Sequence, residues 1–217
     1  MTEESLQASS PLKTGEESLA QLEAIVAASP GSANAHYNLG LALAAAGQRD
    51  RGLEEFRAAL KLKPGLLEAR INIAGILLQK GDYDGCIEES LTALEYRPDL
   101  VEGCINIGIA FSHKGMPQQA LDSFQKALSI DPDSLMAHVN LGNLYLAMGQ
   151  FEKAVEHNSR AVALKPDFGM AHNNLAVAFF YAGNAEHARD HAKKALDLGY
   201  EVNPAFLEQI DMGCGKM

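Results

Sequence analysis

The sequence contains no tryptophan, no long apolar segment and no cluster of positive charge. No apolar run approaches the roughly eighteen residues that a membrane helix requires. The first 15 residues also lack the apolar core of a signal peptide. We therefore expect a cytoplasmic protein that neither inserts into a membrane nor is exported.

Positive charge and cysteine are both scarce. The 28 acidic residues outnumber the 18 lysines and arginines, which gives a net charge of -10 with the two signs interspersed. A surface that binds nucleic acid or anionic lipid needs clustered Lys and Arg, so we expect neither as a partner. The three cysteines, Cys86, Cys104 and Cys214, are an odd number and are predicted to be free thiols.

Proline is also infrequent, but it is regularly spaced. Five of the eight prolines recur every 34 residues, at Pro30, Pro64, Pro98, Pro132 and Pro166. A fixed period of this length indicates a helix-turn-helix unit that is copied and stacked, because one such unit cannot bury its apolar face alone. The chain is therefore predicted to be an array whose function lies on the surface that the stack creates.

Five repeats are obtained when each proline is placed at position 32 of its repeat. They begin at Ala33, Leu67, Val101, Leu135 and Gly169. Position 15 is always glycine, position 27 is always alanine, and positions 8 and 20 always carry a small residue. Two antiparallel helices need small residues where their backbones approach most closely, so the repeats are predicted to be tightly packed helix pairs.

This pattern closely resembles the tetratricopeptide repeat (TPR) family, whose repeats carry leucine at position 7, glycine at 8 and 15, alanine at 20 and 27, and proline at 32. The resemblance covers five repeats and a leading half-repeat. It implies an all-α fold, a right-handed superhelical α-solenoid in which the first helix of each repeat lines a concave surface. Departures are few: position 4 is never tryptophan, and position 24 is aromatic only at Phe56 and Phe124.

The periodicity places helix A at positions 1–14 and helix B at about positions 18–30 of each repeat. We expect a disordered leader at 1–15, a single domain at 16–210 and a flexible tail at 211–217. The domain divides into a half-repeat at 16–32, repeats at 33–66, 67–100, 101–134, 135–168 and 169–200, and a cap at 201–210. Asn203 followed by Pro204 is a helix start, and the resulting helix would cover the end of the stack.

No catalytic constellation is evident, and we expect neither enzymatic activity nor a cofactor. His36, His138 and His172 share position 4 and are predicted to pack between repeats. Three further histidines, at positions 19 and 23 of helix B, are expected to face solvent: His157, His187 and His191. A metal-dependent activity through these three is the least favoured alternative, because no Asp or Cys converges on them.

Position 6 is asparagine in every repeat, at Asn38, Asn72, Asn106, Asn140 and Asn174. Asparagine is a mediocre helix former, and neither helix crossing nor core packing requires an amide there. The amides either bond to nearby backbone groups, or form a ladder that offers donors and acceptors to the main chain of a bound peptide. The ladder resembles the one implied for the TPR superhelix of O-linked N-acetylglucosamine transferase.

Other positions of helix A complete a predicted groove that is apolar with an amide spine. Its further lining residues are Glu68, Glu102, Tyr37, Ile71, Ile105, Leu41, Ile109, Asn143 and Tyr181. Lys and Arg are missing from the groove positions, whereas the heat-shock cochaperones of the family need both to grip an acidic C-terminus. We therefore exclude that role, because a carboxylate buried there would be unpaired.

The expected function is that of a non-catalytic scaffold or adaptor. The groove would hold an extended or helical apolar segment of a protein partner, basic at the end that faces Glu68 and Glu102. The main alternative is a self-associating, homo-oligomeric scaffold that uses the same groove, since an exposed apolar concavity attracts whatever fits it.

Overall fold

The computed structural model describes the backbone of residues 15–214 and the side chains of residues 19–213. Within 15–214 the chain forms twelve α-helices and no β-strand, which confirms the all-α prediction. The predicted leader, apart from Gly15, and the last three residues of the predicted tail lie outside the described residues.

The first helix covers the leading half-repeat, ten helices form the five repeats, and the last helix follows them. Their bounds are α1 (Gly15–Ala28), α2 (Ala33–Ala45), α3 (Arg49–Leu62), α4 (Leu67–Gln79), α5 (Tyr83–Tyr96), α6 (Val101–His113), α7 (Pro117–Ile130), α8 (Leu135–Ala147), α9 (Phe151–Leu164), α10 (Gly169–Tyr181), α11 (Ala185–Asp197) and α12 (Pro204–Cys214). Helix A of each repeat therefore covers positions 1–13, and helix B begins at position 17.

The turn inside each repeat is built on the glycine at position 15. All five of these glycines, and Gly199 after α11, have φ between 69° and 83°, which is the left-handed conformation that glycine adopts most readily. The next residue donates its N–H to the carbonyl of position 11, as in the bond of 2.9 Å from Gln48 to Leu43. This arrangement ends helix A and reverses the chain.

The turn between repeats also follows one pattern. Position 34 donates its N–H back to the carbonyl of position 31, for example from Leu66 to Lys63 at 3.1 Å and from Ser134 to Asp131 at 3.1 Å. The proline at position 32 lies inside this turn, where its missing N–H leaves no hydrogen bond unmade. The repeated proline therefore marks the end of helix B in the first four repeats, whereas the fifth has Tyr200 at this position and its helix B ends before Gly199.

The described residues form two compact units that divide between Tyr96 and Arg97. In the first unit, α1 packs on α2, and α3 packs on α4. In the second unit, each helix A packs on the following helix B, and α8 also contacts α6 and α10. The A helices of the second unit thus form one continuous face.

The last helix covers the apolar end of the second unit. Asn203 begins it, since its side-chain oxygen accepts the N–H of Ala205 at 2.9 Å. Ile210 is buried against α10 and α11. The helix continues four residues past the predicted end of the cap, to Cys214. An ion pair of 3.0 Å between Arg189 and Asp211 fastens this extra turn to α11.

The two described thiols do not take part in disulfides. Cys86 and Cys104 are both buried, and neither forms a disulfide. Burial raises the pKa of the Cys86 thiol to about 11. Both therefore stay protonated at neutral pH and act as small packing residues.

Helices A and B of a repeat meet where position 24 faces position 8. Phe56 is fully buried against Gly40, where an added Cβ would lie 2.8 Å from its ring. Phe124 packs on Gly108 in the same way. In the fourth repeat Asn158 faces Gly142, and its amide nitrogen and oxygen are both buried without a partner. A polar side chain therefore occupies a site that other repeats fill with an aromatic ring.

We predict that Asn158→Phe stabilises the protein. The substitution removes a buried unsatisfied amide, which costs about 1–3 kcal/mol, and Gly142 leaves room for the ring as Gly40 does. For a chain of this size the gain corresponds to a rise in melting temperature of roughly 2–10 °C, measured by circular dichroism.

Ser90→Phe is the matched control, because Ala74 rather than glycine faces it at position 8. Both residues are fully buried, so the ring would meet the Ala74 methyl group and lower the melting temperature. An unchanged or lower melting temperature for Asn158→Phe would contradict the assignment of Asn158 as a packing defect.

Candidate functional site

Position 4 pairs with position 23 of the same repeat in four of the five repeats. The pairs are His36 with Glu55 at 2.6 Å, Arg70 with Glu89 at 2.9 Å, His138 with His157 at 3.1 Å and His172 with His191 at 2.9 Å. Helix B thus turns position 23 toward helix A. These contacts lie within one repeat, whereas the position-4 histidines are predicted to pack between repeats.

Each position-4 histidine also fastens the preceding turn. The Nε2–H of His138 donates to the carbonyl of Pro132 at 3.0 Å, and His172 bonds Pro166 in the same way. A neutral imidazole with its proton on Nε2 has an acceptor at Nδ1. His157 and His191 therefore donate their Nδ1–H groups across the two histidine pairs.

The expectation that His157 and His191 face solvent is wrong. Both are half-buried, because position 23 lies between the two helices of the repeat. His187 is exposed, and its ring lies 5.1 Å from the ring of Phe179. Across the part of the chain whose side chains are described, no three His, Cys, Asp or Glu residues are grouped to hold a metal ion. The three predicted metal candidates are not brought together.

The pairs formed by positions 4 and 23 shift the histidine pKa in opposite directions in the two units. Burial and the neighbouring His138 lower the pKa of His157, although Glu156 opposes the shift. Burial and His172 likewise lower the pKa of His191. In the first unit burial is the largest influence on His36 and opposes its charge. The hydrogen bonds to Glu55 and to the Pro30 carbonyl, together with the negative charge of Glu55, outweigh burial, and the pKa is raised.

We predict that acid weakens the second unit through its histidine pairs. A folded pKa below the unfolded value means that the unfolded chain binds more protons, so this stability is present above about pH 6.5 and lost as pH falls through the folded pKa. Combining His157→Glu with His191→Glu should reduce the fall in melting temperature between pH 7.5 and 5, because each new pair copies His36 with Glu55.

His187→Gln is the control for this titration, since the exposed ring belongs to no pair. It should leave most of the pH dependence in place, because the charge of His187 is the smallest of the influences on the pKa of His191. An identical pH dependence of the melting temperature in wild type and the double variant would show that the pairs are not the groups that titrate.

The asparagines of position 6 are committed in part to their own helices. Asn72 donates its amide N–H to the carbonyl of Glu68 at 2.8 Å and to the Tyr37 hydroxyl at 3.3 Å. Asn140 donates to the carbonyl of Met136 at 2.7 Å. The amide nitrogen of Asn174 is buried without a partner. Local bonding to the backbone, one of the two readings of this pattern, therefore holds for Asn72 and Asn140.

The side-chain oxygens of these amides are placed differently. In the described part of the chain, the Oδ1 atoms of Asn72 and Asn140 have no hydrogen-bond partner and are not buried. Asn38 is exposed, whereas Asn106 is half-buried. The amides of Asn72 and Asn140 thus offer acceptors more than donors.

The other predicted groove residues of the first unit differ in exposure. Leu41 is 39% exposed, Glu68 is exposed and Ile71 is half-buried. Tyr37 is half-buried, with its ring 5.7 Å from Phe56 and its hydroxyl bonded to Asn72. The hydrogen bond between Tyr37 and Asn72 brings positions 5 and 6 of adjacent repeats together.

In the second unit the predicted groove residues that are exposed include polar as well as apolar side chains. Ile105 is buried, Ile109 is half-buried, and Asn143 and Glu102 are exposed. Tyr181 is 55% exposed and stacks on Phe151 at 5.4 Å. These residues lie on helices α6, α8 and α10, which form one face of this unit.

A cleft of about 470 Å³ opens at the start of α6 and α8. It contains two of the predicted residues, Glu102 and Ile105. Its other lining residues are Arg97, Asp99, Leu100, Val101, Asp131, Asp133, Ser134, Leu135 and Met136. Two inter-repeat turns and the first turns of two A helices therefore meet in one concave, acidic site, which we call the acidic cleft.

Sequence reasoning missed the turn residues of the acidic cleft. Asp131 accepts the N–H of Asp133 at 3.0 Å, so the same residues also form the turn between repeats. The available signal was the repeated acidic residue beside proline, in Asp99 and Asp133. Their convergence with Glu102 depends on how α6 and α8 pack, which the turn sequence does not specify.

The comparisons with known proteins agree on the repeat class. Models of the tetratricopeptide repeat match residues 15–66, 41–98 and 113–176, which together span more than half of the chain. The chain belongs to the tetratricopeptide repeat family. Comparison of the sequence with curated proteins gives no match.

Solved structures show the same fold. A thermophilic TPR protein of Thermus thermophilus, TTC0263, is 25% identical with a TM-score of 0.68, over 85% of this chain and 98% of that chain. PilW, a type IV pilus biogenesis factor, is 26% identical with a TM-score of 0.73, over 84% and 86%. YrrB, a TPR protein with an unusual peptide-binding site, is 18% identical with a TM-score of 0.61, over 90% and 98%.

The structure contains no helix, in the portion described, with the length and apolar character needed to cross a membrane.

Proposed function

We propose that the protein is a non-catalytic scaffold that binds a segment of a protein partner along the position-6 face of its A helices. Proteins of this family generally serve as interaction scaffolds. At 18% identity the likeness to YrrB concerns the fold alone, so its peptide-binding site is a parallel and not evidence for this chain.

The observation that carries the proposal is the arrangement of the position-6 amides. The Asn72 and Asn140 nitrogens bond to their own helices, and this fixes the direction of each amide. The oxygens remain accessible and can accept main-chain N–H groups of a bound segment. A helix has no need of such outward-facing acceptors, and they occur at the same position of two repeats.

The expected affinity is moderate. A hydrogen bond of this kind contributes about 1 kcal/mol net, so the five amides supply a few kcal/mol independently of sequence. Side chains such as Leu41 and Tyr181, which are exposed beside the amides, would add apolar contacts and supply selectivity. The sum corresponds to binding in roughly the micromolar range.

The test replaces Asn72, Asn106 and Asn140 together by alanine. Peptides are first selected on the wild-type protein from a displayed twelve-residue library, and their affinities are measured by fluorescence anisotropy. We expect the triple variant to keep its helicity and melting temperature and to bind each peptide about ten- to a hundred-fold more weakly, because three acceptors of about 1 kcal/mol each are lost.

Gln119, Gln125 and Gln209 provide the matched control, since all three are exposed amides that lie outside the A helices. Their joint replacement by alanine should leave peptide affinity unchanged. Unchanged affinity in the asparagine variant would refute the ladder. Light scattering over a concentration series tests the alternative of self-association. That alternative requires the wild-type protein to form oligomers and the asparagine substitutions to dissociate them.

A further inference from the structure

We infer that the acidic cleft is a subsite for one cationic side chain, Lys or Arg, of the bound segment. The inference rests on the proposed function and adds the chemistry of the partner. The cleft lies beside Ile105 and Met136 on the A-helix face, so a segment bound there would bring a side chain to its opening.

The charge balance of the cleft leaves room for one cation. Four carboxylates line it together with Arg97, and Arg160 pairs with Asp133 from outside. Each of the two helix N-termini is equivalent to about half a positive charge, so about one negative charge is left uncompensated. A single ammonium or guanidinium group matches this excess.

Two of the four carboxylates are free to meet a ligand. Asp131 already accepts a backbone N–H in its turn, and Asp133 is paired with Arg160. Among the side chains that the structure describes, Asp99 and Glu102 have no hydrogen-bond or ionic partner, and both are exposed at the cleft. A charge-assisted hydrogen bond to either is about twice as strong as a neutral one.

Ser134 points independently to a ligand. Only 8% of its surface remains accessible, it lines the cleft, and its hydroxyl makes no capping hydrogen bond at the start of α8. Ser32, the residue at the same position before α2, does accept the N–H of Ala35 at 3.2 Å. The hydroxyl oxygen has no hydrogen-bond partner within the described protein and is not fully buried, so it is open to the cleft and can accept a hydrogen bond there. An N–H of a cationic side chain in the cleft would supply that bond.

The floor of the cleft is apolar. Leu100 and Ile105 are buried there, while Met136 is 43% exposed at the rim. Lysine and arginine carry apolar stems that pack on such surfaces while the charged head reaches the carboxylates. A small metal cation would gain nothing from this floor, so the site selects a side chain and not an ion.

The test uses labelled peptides that differ at one residue. In a fixed frame of leucine, isoleucine and methionine, the central residue is Lys, Arg, norleucine or Glu, and affinities are measured by anisotropy. We expect wild type to prefer the Lys and Arg peptides to the norleucine peptide by roughly ten-fold, and to lose much of this preference at high salt.

Asp99→Asn combined with Glu102→Gln should abolish the preference, by lowering the affinities of the Lys and Arg peptides to that of the norleucine peptide. Ser134→Ala should reduce it by a smaller factor. Glu152→Gln with Glu186→Gln is the matched control, because both are exposed carboxylates of the second unit outside the cleft, and the preference should persist. Equal Lys and norleucine affinities in wild type, or a preference that survives Asp99→Asn with Glu102→Gln, would overturn the inference.

A second measurement separates this inference from the groove itself. With methyl-labelled methionine, the Met136 signal should shift on titration with N-acetyl-lysine methylamide and not with the norleucine analogue. A Met136 shift with the lysine compound, in a protein that binds none of the peptides, would support the cationic subsite in the acidic cleft and refute the proposed peptide groove. Wild-type oligomers that dissociate in Asp99→Asn with Glu102→Gln would identify a second copy as the occupant and overturn the assignment to a partner.

Discussion

The close approach of the two helices within each repeat is the constraint on which the rest of the structure depends. The alanine at position 27 is completely buried in all five repeats. A Cβ added to Gly52 would lie 3.1 Å from the carbonyl oxygen of Gly40, so the backbones leave no space for larger side chains. Phe56 and Phe124 occur only where position 8 is glycine, because the ring needs the volume of the missing methyl group. The fourth repeat has glycine at position 8 but carries Asn158 in place of the ring, and the amide nitrogen and oxygen of Asn158 are buried without partners.

The fixed helix spacing also makes position 4 and position 23 a single interaction site. The same geometry holds an imidazolium with a carboxylate, a guanidinium with a carboxylate, or two imidazoles. The histidines extend the link to the carbonyl of the preceding proline, which ties each turn to the repeat that follows. The two units share the same repeat backbone but differ in their response to pH, because the described pair that favours a charged histidine, His36 with Glu55, lies in the first unit.

Packing of the A helices leaves a surface whose polar groups are only partly satisfied by the protein. The amide nitrogens of Asn72 and Asn140 are held by their own helices, and their oxygens remain for another chain. At the start of α6 and α8, the carboxylates exceed the positive charge available, and Ser134 lines the same cleft with a hydroxyl that has no partner in the described protein. Regular acceptors along the A helices would set the path of a bound segment, and the acidic cleft would set its register.

The sequence by itself determined the repeat period, the helix bounds to within a few residues, and the turns. These follow from local chemistry: glycine takes the left-handed conformation at Gly47 and its equivalents, and proline ends helix B of the first four repeats because it lacks an N–H. The sequence also located the position-6 asparagines and two residues of the cleft. Only the tertiary structure decided that His157 faces His138 instead of solvent, that the amides present their oxygens, and that Asp99 and Ser134 share a site. Such features depend on the rotation and spacing of neighbouring helices, which are set by packing across the whole interface and not by the residues of one turn.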